Sequence, residues 1–105
     1  MIHYRRTHPI SPGRHSDGVL LAHEWVALWK DVGVDMRCSE VITGTLGRLC
    51  VSADFESMGA LEAARTRMEA SPKAQAFAQK FQKMARDGTA ALIPNTAHEE
   101  IWRDA

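Results

Sequence analysis

Tyr4, Arg6 and His8 stand at alternate positions of IHYRRTH, residues 2–8. In an extended strand, side chains two apart share a face. A phenol, a guanidinium and an imidazole would then come out together. Imidazole moves protons near neutral pH. The phenol can donate a hydrogen bond, and the guanidinium can hold an anionic group. The other reading puts Arg6 and His8 at an exposed strand end.

Glu40 is the fourth candidate. It interrupts the apolar positions Met36, Cys38 and Ile42 of an apparent strand. A carboxylate buried there is costly unless paired or neutral. Desolvation would raise its pKa, which suits a general acid or base. The plainer accounts are a register slip, or a glutamate reaching solvent from a strand edge. Trp25 and Trp29 lie one helical turn apart in DGVLLAHEWVALWKD, residues 17–31. Aromatic walls suit flat organic molecules, and core packing is the plainer role for such a pair.

Other chemistries find no constellation. His3 and His8 fall on opposite faces of their strand, and His98-Glu99-Glu100 lacks the second histidine of a zincin helix. No metal site is expected. GTLG, residues 44–47, is too short for a phosphate-cradling loop and sits in a hairpin. No Ser-His-Asp or Cys-His arrangement can be placed by spacing alone.

The elements that must position these residues are legible as a pattern. Segment 2–8 reads as a strand closed by Pro9, Pro12 and Gly13. Segment 17–31 reads as a helix capped by Ser16 or Asp17 and ended by Gly33. Its apolar stripe runs through Leu21, Trp25, Leu28 and Val32, with Ala22, Val26 and Trp29 beside it, while His23 falls on the polar side. Segment 36–55 reads as a hairpin with Thr43 facing Arg48. That register puts Met36, Cys38, Glu40 and Ile42 on one face with Leu49, Val51, Ala53 and Phe55. Cys38 and Cys50 then lie on opposite faces, and no disulfide joins them.

Ser57 caps a second helix over 57–70, with Met58, Leu61, Ala64 and Met68 as its buried stripe. Ser71-Pro72 restarts it, with proline at the first helical position. Ala74, Phe77, Ala78, Phe81, Met84 and Ala85 line one face up to Gly88. Segments 89–95 and 98–103 read as strands, and Trp102 is expected at a subunit interface. The order is β-α-β-β-α-β, the ferredoxin-like split βαβ arrangement of an α+β fold with an antiparallel sheet.

The 105 residues suffice for one domain, 1–105, with a modest core. Thirteen basic and thirteen acidic residues give a net charge of zero, which argues against nucleic acid as a partner. No apolar run approaches the roughly 20 residues of a membrane span, so no membrane association is expected. MIHYRR has no apolar h-region, and no signal peptide is expected. Two cysteines fit a reducing compartment, and a cytoplasmic protein is the expectation.

RTHPISPGR, followed by a helix ending in ALWKDVG, resembles the opening strand and turn of NIPSNAP-type domains. There the run is Arg-Thr-Tyr, a spacer, then Pro-Gly-Lys or Pro-Gly-Arg, so His8 stands where relatives have tyrosine. DFESMGALEAARTRMEASPKAQAF resembles that family's strand end, helix and Ser-Pro restart, a feature shared with antibiotic-biosynthesis-monooxygenase-like proteins. The resemblance spans roughly residues 2–95. It implies a dimeric α+β barrel, with two sheets packed across a dyad, and hence a homodimer. The wider superfamily includes cofactor-independent monooxygenases, isomerases and haem-degrading enzymes.

The expectation is therefore a protein that binds a small aromatic or polyketide-like organic ligand and transforms it with no cofactor. Glu40 or His8 would remove a proton, Tyr4 or Arg6 would steady the anion, and Trp25 and Trp29 would shape the pocket. The alternatives are a non-catalytic ligand- or partner-binding module, and a haem-binding protein with His8 as the axial ligand.

Overall fold

A computed structural model describes residues 1–44, 47–93 and 96–105. The elements are β1 (Ile2–Pro9), α1 (His15–Asp31), β2 (Arg37–Glu40), β3 (Arg48–Phe55), α2 (Met58–Ala70), α3 (Pro72–Arg86) and β4 (His98–Arg103). The four strands form one antiparallel sheet in the order β2-β3-β1-β4. Each helical crossover thus joins two strands separated by a third, which is the split βαβ arrangement expected. The fold is α+β and ferredoxin-like.

Strand β1 sits centrally and pairs Tyr4 with Ala53 of β3 and with Ile101 of β4. Its alternation sends Ile2 and Tyr4 inward, both buried. Leu49, Val51, Ala53 and Phe55 alternate onto the same buried face of β3. The β2–β3 register differs from expectation by two residues: Cys38 faces Val51 and Glu40 faces Leu49. A shift of two leaves every side chain on its face, so the face assignment survives the wrong register. The connection is longer than the four-residue turn because Arg48 already lies opposite Val41, whose N–H donates to its carbonyl at 3.3 Å. Gly44 and Gly47 both take φ near +80° there (+84° and +77°), a region open to glycine without strain. Thr45 and Leu46 of GTLG lie outside the described residues.

Helix α1 begins at His15, two residues before the expected start, with Arg14 at its N-cap and no side-chain cap. The cap expected from Ser16 or Asp17 is absent because both lie inside the first turn. Asp17 instead accepts from Arg14 Nε at 3.0 Å. The two later caps are as expected. Ser57 Oγ accepts the Ala60 N–H at 3.1 Å, and Ser71 Oγ accepts the Ala74 N–H at 3.3 Å, with Pro72 opening α3.

A strand was expected over 89–95. Among the described residues that segment holds a single bridge, Ile10 to Leu92; Pro94 and Asn95 lie outside them. The last strand of the sheet is β4.

Two apolar clusters fill the space between sheet and helices. The larger joins Ile2, Tyr4, Val51 and Phe55 to Trp29 of α1 and to Leu61, Ala64 and Met68 of α2. Met58, expected in that stripe, is instead exposed in the first turn of α2. The smaller joins Leu21, Ala22, Leu49 and Leu92, with Phe77, Phe81 and Met84 of α3 packed against it. Among the described apolar residues of α3 only Ala74 is fully buried, so the middle of that helix stands off the sheet.

Candidate functional site

Where α3 stands off, a cavity of about 230 Å³ opens. Its walls are apolar: Leu21, Ala22 and Trp25 from α1, Leu49 and Val51 from β3, Phe77, Ala78 and Phe81 from α3, and Leu92. Its polar lining comes from Arg6 and His8 of β1 and Gln82 of α3. The inward face of β1 is therefore the face that carries the expected trio.

Helix geometry explains the aromatic wall. Trp25 and Phe77 meet with ring centroids 5.3 Å apart and planes tilted by 35°, joining α1 to α3 at the cavity. Trp29, one turn along α1, makes an edge contact with Trp25 at 6.2 Å and packs on Tyr4 at 6.3 Å. Trp29 is buried in the larger cluster, not at the cavity. Both indole N–H groups are buried and find no acceptor among the described residues. An unmet buried donor is destabilising.

His8 is half-buried, and its ring makes no hydrogen bond to a described residue. Burial first, and then the neighbouring Arg6 charge, push its pKa down to about 4. At neutral pH the ring carries no charge and offers a lone pair.

Tyr4 goes a different way from His8. It is deeply buried, and its hydroxyl donates to Glu99 Oε2 at 3.1 Å. Burial, reinforced by the Glu99 carboxylate, raises the phenol pKa. The same Oε2 accepts from Arg6 at 3.3 Å, and Arg65 of α2 holds Oε1. The Arg65 guanidinium also lies 5.7 Å from the centre of the Tyr4 ring. Partial burial pushes the Glu99 carboxyl up, but the Tyr4 hydrogen bond and the two arginines outweigh it and hold it below its usual value. Tyr4 and Glu99 thus form a polar cluster adjoining the cavity through Arg6.

Glu40 is the clear departure. Its side chain is 50% exposed and lies 3.0 Å from His15 Nε2, at the start of α1. It does not line the cavity. Strand β2 is a short edge strand ending at Glu40, so the residue emerges past the helix instead of beneath it. Of the six candidates, the structure brings Arg6, His8 and Trp25 together and leaves Tyr4 and Trp29 in the packed core beside them.

Glu99 is the residue sequence reasoning missed. HEEIWR reads as a strand, but only the pairing of β4 with β1 puts Glu99 opposite Arg6. A shallower groove of about 390 Å³ runs over the outer side of α1 and α3. Its charges already pair across it, Lys80 with Glu24 at 2.9 Å and Lys73 with Asp31 at 3.7 Å. Among the described residues no group of three or more His, Cys, Asp or Glu is placed to hold a metal ion. No helix of the described residues is long and apolar enough to cross a membrane.

No family model and no curated protein sequence matches the chain. Solved structures do. An uncharacterised NIPSNAP domain protein from Burkholderia xenovorans superposes with a TM-score of 0.78 at 19% identity, covering 100% of this chain and 95% of its own. A NIPSNAP family protein from Agrobacterium tumefaciens follows at 0.75 and 15% identity, covering 99% and 85%. A candidate antibiotic biosynthesis monooxygenase from Deinococcus radiodurans gives 0.62 at 13% identity, covering 100% and 93%. The resemblance read from the sequence motifs is therefore met at the level of fold.

Proposed function

We propose that this chain is a NIPSNAP-type protein that binds a small aromatic or polyketide-like molecule in the cavity under α3, with His8 as the proton acceptor. One observation carries the reading: His8, neutral and with no hydrogen-bond partner among the described residues, lines a largely apolar cavity beside the charge of Arg6. A ring stacked between Trp25 and Phe81 would bring an acidic carbon or phenol to the imidazole. The proton passes to the ring nitrogen, and the anion left behind is steadied by Arg6. That anion raises the histidine's affinity for the proton, which makes up for a free-protein pKa near 4. The step is common to isomerisation, cyclisation and cofactor-independent oxygenation, where dioxygen would be the co-substrate.

Glu40 has no part in this reading, and Tyr4 acts through Glu99 and Arg6. The working unit is a cytoplasmic homodimer. The two half-buried free thiols, Cys38 and Cys50, suit a reducing compartment. The helix-free sheet face presents Trp102, 52% exposed, beside His3 of β1, and a second copy would cover it.

The test is a screen of phenols and 1,3-dicarbonyl aromatics by thermal shift, with products followed by mass spectrometry. Wild type is expected to bind and turn over a compound that His8→Leu binds without turnover. Equal turnover by both proteins would refute the role of His8. Binding without turnover by either would favour the non-catalytic module.

A further inference from the structure

We infer that Glu99 is a built-in counter-anion for Arg6, so that the cavity selects ligands with an apolar body and one anionic group, which takes the place of Glu99 on Arg6. This rests on the cavity being the ligand site and adds to it the charge of the ligand and the residue that sets it.

Arg6 is a residue of the cavity wall, and Glu99 is not. Among the described residues the Arg6 guanidinium makes one hydrogen bond to a carboxylate, from one nitrogen to Glu99 Oε2 at 3.3 Å, and it also approaches the Tyr4 hydroxyl. A guanidinium has five N–H donors arranged to grip an oxyanion two at a time. The observed contact uses one of them, at a length beyond the usual 2.7–2.9 Å of a charge-assisted bond. Arg6 is therefore neutralised but underused.

Glu99, by contrast, is anchored without Arg6. Its Oε1 accepts from Arg65, and its Oε2 also accepts from the Tyr4 hydroxyl at 3.1 Å. Release of Arg6 would leave the carboxylate with two partners and no unpaired charge. The exchange thus costs one long hydrogen bond and the weaker approach to the Tyr4 hydroxyl, and offers an incoming oxyanion a two-pronged grip. A neutral ligand makes no such exchange. With Glu99 in place, the Arg6 charge is partly cancelled, so an anion is admitted only when it outcompetes the glutamate.

Two fluorescent probes isolate the effect. N-phenyl-1-naphthylamine and 8-anilinonaphthalene-1-sulfonate share their ring system and differ by a sulfonate. Both are titrated into the folded full-length chain, with circular dichroism confirming that each variant is intact. Glu99→Gln is expected to tighten the sulfonate probe about tenfold, the scale of one competing charge-assisted bond, and to leave the neutral probe unchanged. Arg6→Gln is expected to weaken the sulfonate probe, and adding Glu99→Gln on top of it should do nothing more. That non-additivity separates competition for Arg6 from a general change in surface charge.

If both probes bind wild type and Glu99→Gln alters neither, the counter-anion role is wrong while the cavity stands. An equal gain with and without Arg6 would also overturn it. If neither probe binds wild type at a single saturable site, the cavity reading falls and this inference falls with it.

Discussion

Trp25 of α1 and Phe77 of α3 meet with ring centroids 5.3 Å apart, and this contact closes one side of the cavity. Phe77 is half-buried and lines the void, so part of its ring already lacks protein partners. Phe77→Ala is therefore expected to cost about 1–3 kcal/mol, below the usual 3–5 for a core phenylalanine. Urea denaturation measures it. A loss of 4 kcal/mol or more would mean that α3 is seated without a void beneath it.

Leu61 supplies the contrast. It is fully buried between α2 and the sheet, at 0% exposure, whereas Met58 in the first turn of the same helix is exposed. Leu61→Ala is expected to cost about 2–5 kcal/mol and Met58→Ala under about 1. Similar losses at both sites would contradict the placement of α2.

His8 links folding to pH with a definite sign. Its ordinary pKa of 6.5 falls to about 4 in the folded chain. Between those values the unfolded chain binds more protons, so stability falls as pH drops from about 6.5 toward 4 and is fully present above 6.5. Allowing for solvent at the cavity mouth, the contribution is about 1–2 kcal/mol. Comparing denaturation at pH 7 and pH 4.5, wild type is expected to lose that much more than His8→Leu. An identical loss in both would show that His8 titrates as if in water.

His3, on the helix-free face, titrates the other way. Its Nδ1 lies 2.7 Å from Asp54 and its Nε2 2.6 Å from Asp104, which also pairs with the chain's amino group at 3.6 Å. Arg37 of β2 lies 3.5 Å from Asp54 and supports that carboxylate. The hydrogen bonds to Asp54 and Asp104 raise the imidazole pKa, and the one from His3 lowers each carboxyl. The clasp contribution from His3 is therefore whole below pH 6.5 and is lost as pH rises through the higher folded value. Proton NMR of the ring should give a midpoint above 6.5 that falls in Asp54→Asn and again in Asp104→Asn. A midpoint at or below 6.5 would mean the clasp does not form.

Local signals carried most of the fold. Alternation in β1 and β3 marked the buried face, and the serine caps and Pro72 marked α2 and α3. The β2–β3 register was off by two residues without consequence, because faces repeat with that period. What failed was information that lives between elements. Glu40 alternates with apolar residues, yet an edge strand that stops there carries it to solvent beside His15. Trp25 and Trp29 share a stripe, yet one meets α3 across the cavity while the other lies over Tyr4. Glu99 became legible only through its pairing with Arg6, a contact 93 residues apart in the chain.

On the proposed function, the space under α3 takes a small apolar-bodied molecule. Ala78 is exposed on α3 yet lines that space, so Ala78→Trp fills the cavity without disturbing the core. Fluorescence titration with N-phenyl-1-naphthylamine tests it most directly. Wild type is expected to show one saturable site per chain, and a folded Ala78→Trp variant is expected to lose that binding. No saturable binding to wild type, or equal binding to both proteins, would contradict it.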